Sequence, residues 1–222
     1  MPGTNHTDGD TPTGENRAAS ESPKPTSSVS KTEEQIRAAQ LGVLLPLVGP
    51  IQIVDYDPEW PQIFEREARW VRAVLDDRVL SLEHIGSTSV PGLAAKPKID
   101  MQLVVANSAD EPAYVPALVA AGYVLQVRQP DWYEHRMFKG PDVDINLHVY
   151  SQGCPEVDRV LLFRNWLRSN ASDRQLYERT KRDLASRNWK YMQNYADAKT
   201  AVVEEILARA QKYVEEEGHA DD

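Results

Sequence analysis

The stretch His84-Ile85-Gly86-Ser87-Thr88-Ser89-Val90-Pro91-Gly92-Leu93-Ala94-Ala95-Lys96-Pro97-Lys98-Ile99-Asp100 brings two glycines, three hydroxyl side chains, two lysines and a carboxylate close together in the chain. Those types in that order suit the holding of a phosphate beside a metal ligand. Gly86 lets backbone approach a phosphate closely, while Ser87, Thr88 and Ser89 offer hydroxyls and N–H groups to its oxygens. Asp100 is the natural magnesium ligand. His84, at the end of the preceding strand, reads either as a phosphate donor or general acid, or as a hydrogen-bonded structural histidine. Lys96 and Lys98 either neutralise phosphate charge, Lys96 being the better placed, or are exposed loop cations.

Positioning these groups requires a strand on each side of the loop. Alternation through Leu80, Leu82 and His84 predicts the first strand, and Ile99, Met101 and Leu103 against Asp100, Gln102 and Val104 the second. Side chains 100 and 102 then share a face, where two carboxylates would bind a magnesium pair. Position 102 is Gln, whose neutral amide oxygen is a poorer magnesium ligand than a carboxylate, so charge must come from elsewhere. A later strand, Val143 to Tyr150, places Asp142, Asp144, Asn146 and His148 on one face. Asp144 or His148 could complete a metal site with Asp100 and Gln102, although Asp142 reads as a solvent-facing hairpin residue.

Further candidates lie on other elements. Arg136, beside Phe138 on the strand Trp132 to Phe138, is a cleft candidate. Arg164 and Arg168 are four apart on a helix and share a face, suited either to clamping a phosphate or to surface pairing with Glu156, Asp158 or Asp173. Tyr195 and Lys199 repeat that spacing, reading as a second phosphate contact or as a core-edge tyrosine with a solvated lysine. The Gly-Ser loop lacks the Gly-Lys-Ser/Thr of a Walker loop, and no Gly-x-Gly-x-x-Gly or Gly-x-Ser-x-Gly occurs, which weighs against kinase, dehydrogenase and serine-hydrolase readings.

The remaining elements predict a small mixed sheet covered by helices. A helix from the Thr32 cap runs to Gly42, Ile51 to Val54 reads as a strand, and Trp60-Pro61 opens a helix with Phe64, Val71, Val74 and Leu75 on one face. Ala113 to Ala121 is helical and Tyr123 to Arg128 a strand. Trp132 to Phe138 and Val143 to Tyr150 form an antiparallel pair around Lys139-Gly140-Pro141. Helices follow over 156 to 169, Asp173 to Ser186 and Tyr191 to Glu217, the last with Tyr195, Val202, Ile206 and Tyr213 as a buried stripe. Residues 1–31, rich in Thr, Ser and Pro, cannot bury enough surface to offset ordering entropy and are expected to be a disordered tail. Residues 32–50 form a helical extension and linker, 51–214 one domain, and 215–222 an acidic tail.

At 222 residues and 41% hydrophobic, the chain is long enough for one substantial core. Its net charge of −9 includes the acids Glu215, Glu216, Glu217, Asp221 and Asp222 at the C-terminus, leaving a mildly acidic body. There is no basic block and no electrostatic case for duplex nucleic acid. Cys154 is the only cysteine, consistent with a reducing cytoplasm. No stretch approaches the roughly 20 apolar residues of a bilayer span, and no leader pattern opens the chain, so a soluble cytoplasmic protein is expected.

Taken together, Val54-Asp55-Tyr56-Asp57-Pro58-Glu59-Trp60-Pro61, the run from Glu83 to Leu93, Ala95-Lys96-Pro97, Ile99-Asp100 and Gly122-Tyr123 resemble the GrpB family of the nucleotidyltransferase superfamily. Arg136 to Phe138, Leu147-His148-Val149, Phe163-Arg164, Leu167-Arg168 and Tyr195 with Lys199 extend the resemblance over about residues 51 to 210. It implies an α+β, nucleotidyltransferase-like mixed sheet flanked by helices. Carried over, Gly86 and Ser87 hold nucleotide phosphates and Asp100 is the first metal ligand. Magnesium and a nucleoside triphosphate, ATP by analogy, would be the cofactors, with two metals supporting in-line displacement at the alpha phosphorus.

The chain departs from that pattern at three places. Gln102 stands where the wider superfamily has a second acid, although acid is commonly missing there in the GrpB family. Asn146 replaces a histidine and Asn165 an aspartate. Two functions follow from the resemblance. One is a magnesium-dependent enzyme activating a small-molecule acceptor by nucleotidyl transfer or through an acyl-adenylate. The other is a catalytically silent nucleotide-binding or chaperone-like module supporting a partner enzyme in trans, such as dephospho-coenzyme A kinase, to which this domain is fused elsewhere.

Overall fold

The computed structural model describes residues 30–218. The expected disorder of residues 1–29 and the end of the acidic tail lie outside that range, whereas Ser30 and Lys31 are hydrogen-bonded to Asn194 and Asp197. Five strands, β1 Ser81–Ile85, β2 Ile99–Val105, β3 Val124–Gln129, β4 His135–Lys139 and β5 Ile145–Ser151, form one sheet in the order β1-β2-β5-β4-β3. Only β2 and β5 are parallel. The expected antiparallel pairing of β4 with β5 is present, with Met137 opposite His148 and Lys139 opposite Asn146.

Strand alternation assigns the two faces different tasks. Leu82, Met101, Leu103, Phe138, Leu147 and Val149 face α2 (Trp60–Leu75) and α3 (Glu111–Ala120) in the main core. Helix α2 contributes Trp60, Phe64, Ala68, Val71 and Leu75, spaced so that each is about one turn from the next. Burying a side chain such as Phe64 or Leu75 is worth about 1.5–3 kcal/mol relative to exposure. Pro61 in its first turn sacrifices no intrahelical bond.

Beyond the opposite face lie α4 (Pro155–Ser169), α5 (Ala171–Ala185) and α7 (Thr200–Gly218). Leu167, Tyr177, Val202 and Ile206 pack there with Val90 and Leu93 from the loop after β1. That second core fixes the phosphate-loop candidate against helices distant in sequence.

Several boundaries differ from the sequence expectation. Helix α1 (Glu33–Ala39) ends before Gly42 because Gln40 bridges Val127 and the Leu41 N–H donates to the Gln126 carbonyl at 2.8 Å, extending the chain along the free edge of β3. Residues 51–54 form no strand: Val54 makes a single bridge to Ala95. The helix expected from Tyr191 to Glu217 is interrupted after α6 (Met192–Asp197), and Lys199 sits in the break. Tyr213 is 47% exposed rather than part of a buried stripe.

Candidate functional site

Gly86 closes β1 with φ 70° and ψ −174°, a conformation open essentially only to glycine. A Cβ there would lie 2.7 Å from Asp100 Oδ2. The glycine thus brings the loop backbone against the carboxylate at the start of β2. A short turn of 3₁₀ helix over Ser87–Ser89 follows, and only Ser87 of its hydroxyl residues lines the adjoining cleft of about 960 Å³. The other two are consumed locally. Thr88 Oγ1 donates to the Lys98 carbonyl at 3.0 Å and Ser89 Oγ to the Gly86 carbonyl at 2.6 Å, and both residues are buried. Thr88 and Ser89 shape the loop rather than offering hydroxyls to a phosphate.

Asp100 lies directly opposite Asn146 in the parallel β2–β5 register, and Asn146 Nδ2 donates to Asp100 Oδ1 at 2.7 Å. His148, two residues along, brings Nε2 to 3.8 Å from the same oxygen. Burial opposes ionisation of Asp100, but His148, the Asn146 amide and Lys98 outweigh it and hold the carboxyl below its ordinary value. Behind His148, its Nδ1 lies 3.0 Å from His135 Nε2, and His135 Nδ1 lies 2.8 Å from Gln129 Oε1. His135 is stacked against Tyr150 and His148, and burial, followed by the charges of His148 and Arg136, presses its basicity down to about 2. With Gln129 Oε1 accepting from Nδ1–H, neutral His135 accepts from His148 Nδ1–H, which directs His148 Nε2 toward Asp100.

Lysines gather around this carboxylate. Lys96, Lys98, Lys139 and Lys199 all line the cleft. Lys199 lies over the Tyr195 ring at 4.9 Å, so the pair four apart does meet, and Lys96 lies over the same ring at 6.0 Å. Burial lowers the basicity of Lys96 to about 8, further depressed by Lys98 and Lys199, and that of Lys139 also to about 8, further depressed by Lys98. Lys199 is shifted down by burial while Asp100 opposes the shift. A small annex of about 60 Å³ shares Ser87, Lys96, Lys98, Asp100, Tyr195 and Lys199 with the main cleft and adds Ile53, Thr88, Ala95 and Lys181. Lys181 Nζ donates to the Ala94 carbonyl at 2.5 Å and is pushed down to about 7 by burial.

Other sequence candidates lie elsewhere. His84 points to the opposite face of the sheet from Asp100, stacked on Phe64 at 4.8 Å between ring centres with Nε2 3.0 Å from Thr88 Oγ1. Burial lowers it to about 4, and it supports the loop from behind. Arg136 is likewise on the core side, because Phe138, two residues along, packs among α2 and α3. Arg136 donates to Glu111 at 2.6 Å, beside the two-pronged contact of Arg128 with the same carboxylate. Gln102 shares the Asp100 face but is fully buried, its Nε2 donating to the Val157 carbonyl of α4 at 3.4 Å, so it does not reach the cleft as a metal ligand.

The arginine pair is divided between scaffold duties. Arg168 donates twice to the Ser89 carbonyl, at 3.0 and 2.8 Å, which anchors the loop to α4 instead of presenting the guanidinium to a ligand. Arg164 lines the cleft but is engaged by Glu83 at 2.7 Å and the His84 carbonyl at 2.9 Å. Asp144 lines the cleft and is ion-paired with both Lys98 and Lys139. Lys139, His135 and Lys181 were not singled out by the sequence. Strand parity could have found the first two, since 135, 137 and 139 alternate with the core residues 136 and 138.

A glycine-serine loop, a neighbouring strand that opens on a carboxylate and a lysine-lined cleft mark an α+β protein whose cleft adjoins the ends of the interior strands β2 and β5. The chain belongs to the GrpB family: the sequence profile described as GrpB protein matches residues 50–209. A UPF0157 protein of Halalkalibacterium halodurans is 55% identical over 183 residues, covering 82% of this chain and 94% of the relative. The crystal structure of a conserved protein GrpB from Enterococcus faecalis superposes with a TM-score of 0.65 at 31% identity, covering 73% of this chain and 99% of the other. A dephospho-CoA kinase of Mycolicibacterium paratuberculosis is 30% identical over 165 residues, covering 63% of this chain but 40% of the kinase. Among the described residues, no helix is long and apolar enough to cross a membrane.

Proposed function

We propose that the cleft binds a nucleoside triphosphate, taken to be ATP, through its phosphates and that the protein transfers the nucleotidyl group to a small acceptor. The carrying observation is Gly86: its backbone conformation and the 2.7 Å approach of Asp100 Oδ2 to the place of a Cβ set the loop against one carboxylate, beside which Ser87 and the lysines line the cleft. The Gly86–Ser87 turn and the ammonium groups would bind the phosphate oxygens, and Asp100 with His148 would orient the attacking acceptor oxygen, which bonds to the alpha phosphorus as the bond to the bridging oxygen breaks and pyrophosphate leaves. Formation of an acyl-adenylate is the same chemistry with a carboxylate acceptor.

The donor set does not fit a pair of magnesium ions. Gln102 is buried under α4, Asp144 is ion-paired with two lysines, and no group of three or more His, Cys, Asp or Glu among the described residues could hold a metal. Asp100 could still contact one magnesium ion carried in on nucleotide phosphates, the usual manner of magnesium binding, where it would neutralise phosphate charge.

Incubating the protein with each nucleoside triphosphate, magnesium and a metabolite pool is expected to release pyrophosphate. Release of equal size from Asp100→Asn would refute the assignment. The match to part of a dephospho-CoA kinase favours a second reading, a nucleotide-binding module that supports a partner enzyme in trans. Nucleotide binding without turnover, together with partner support that survives Asp100→Asn, would select it.

A further inference from the structure

The misfit to two magnesium ions has a counterpart in the cleft. Lys139 Nζ donates to Asn146 Oδ1 at 2.7 Å and lies 3.4 Å from Asp144 Oδ1. The other end of the Asn146 amide donates to Asp100 Oδ1, so ammonium, amide and carboxylate form one continuous array across β4, β5 and β2. Asp144 also holds the Lys98 ammonium, whose side chain is only 16% exposed. Two cations are therefore fixed side by side, through oxygen acceptors of the kind a divalent metal would use, and both adjoin the same cleft as Gly86 and Ser87.

We infer that Lys139 and Lys98, aligned by Asp144 and Asn146, are built-in cations that bind polyphosphate oxygens directly, so that the cleft holds a polyphosphate without requiring a divalent ion. The inference rests on the nucleotide-binding reading and deepens it by naming what replaces the missing metal charge. Asn146 is central to the arrangement. As an amide it accepts from Lys139 with one end and donates to Asp100 with the other, whereas a carboxylate there would add negative charge beside Asp100 and have no proton to donate. Placement by fixed acceptors also limits the side-chain entropy that a free lysine would lose on meeting a phosphate. Neutralisation by ammonium groups predicts an affinity that falls with ionic strength.

The test is calorimetric titration of the full-length chain with inorganic tripolyphosphate and, separately, ATP, each in excess EDTA and in magnesium. Both ligands are expected to bind in EDTA, and Lys139→Met to weaken them at least tenfold there while thermal unfolding shows a folded protein. Lys98→Met should do the same, guarding against an uninformative result if one variant fails to fold. Binding of ATP but not tripolyphosphate in EDTA would show that the nucleoside carries the affinity and would overturn the inference. Binding that requires magnesium, or that is unchanged in both folded lysine variants, would also overturn it while leaving nucleotide binding in place. No binding of ATP under either condition would defeat both readings.

Discussion

Replacing Gly86 with alanine examines whether the site depends on backbone as well as side chains. The residue occupies φ 70° and ψ −174°, and holding a non-glycine residue in such a region costs about 1–3 kcal/mol. The new Cβ would meet Asp100 Oδ2 at 2.7 Å, its Cβ at 3.1 Å and its Cγ at 3.3 Å. Forcing extra carbon into packed surroundings adds about 1–3 kcal/mol. The sum is about 2–6 kcal/mol, and at about 2–4 °C per kcal/mol for a domain of this size the expected loss in Tm is roughly 4–24 °C. Differential scanning calorimetry of Gly86→Ala, Asp100→Ala and the double variant separates the two contributions. Without the carboxylate, the contacts with Oδ2 and Cγ disappear and the glycine substitution should become cheaper by about 1 kcal/mol or more, leaving the backbone cost and the tight contact with the Cβ at position 100. A Tm within about 2 °C of wild type for Gly86→Ala, or strict additivity in the cycle, would refute the reasoning.

Arg136→Ala removes a guanidinium from Glu111 on the core side of the sheet, and the lost pairing should cost about 1–3 kcal/mol in urea denaturation, moderated because Arg128 stays on the same carboxylate. Its polyphosphate affinity should remain that of wild type; a large loss of affinity in a folded variant would return Arg136 to the cleft. Lys181 has a folded-state basicity of about 7 against an ordinary value of 10.5, so between those limits the unfolded chain binds more protons at this position and stability from this group rises with pH. Below about 7 the full penalty of burying the ammonium applies. Lys181→Met should therefore gain stability relative to wild type at pH 7, with the difference shrinking toward pH 10; a pH-independent difference in thermal melts would contradict a buried, titrating ammonium.

The sheet, its covering helices and the loop from Gly86 to Asp100 were legible because each leaves a local pattern: alternation of period two, apolar residues one helical turn apart, and glycine at a sharp backbone change. Strand parity is also present in the sequence and separates the two faces. Phe138 marks the core face, so its neighbour at the same parity, Arg136, had to lie there too, and Lys139 had to face the cleft. His84 follows the same logic through Leu82. The fate of Gln102 was less accessible, since it shares the correct face with Asp100 and is lost to the cleft only because Val157 of a distant helix lies above it. Thr88, Ser89 and Arg168 also have suitable chemistry, but backbone carbonyls claim them, and such partners leave no trace in residue spacing. The break at Lys199 and the lone bridge at Val54 are likewise set by tertiary contacts rather than by propensity.

The N-terminal segment gives the cleft a wall built from residues that precede the family profile. Ile36, Leu44 and Leu47 line the same space as Asp100 and Lys139, yet they precede residue 50, where the match to the family profile begins. Substitutions at Ile36, Leu44 or Leu47 would therefore reshape the cleft without altering Asp100 or Lys139.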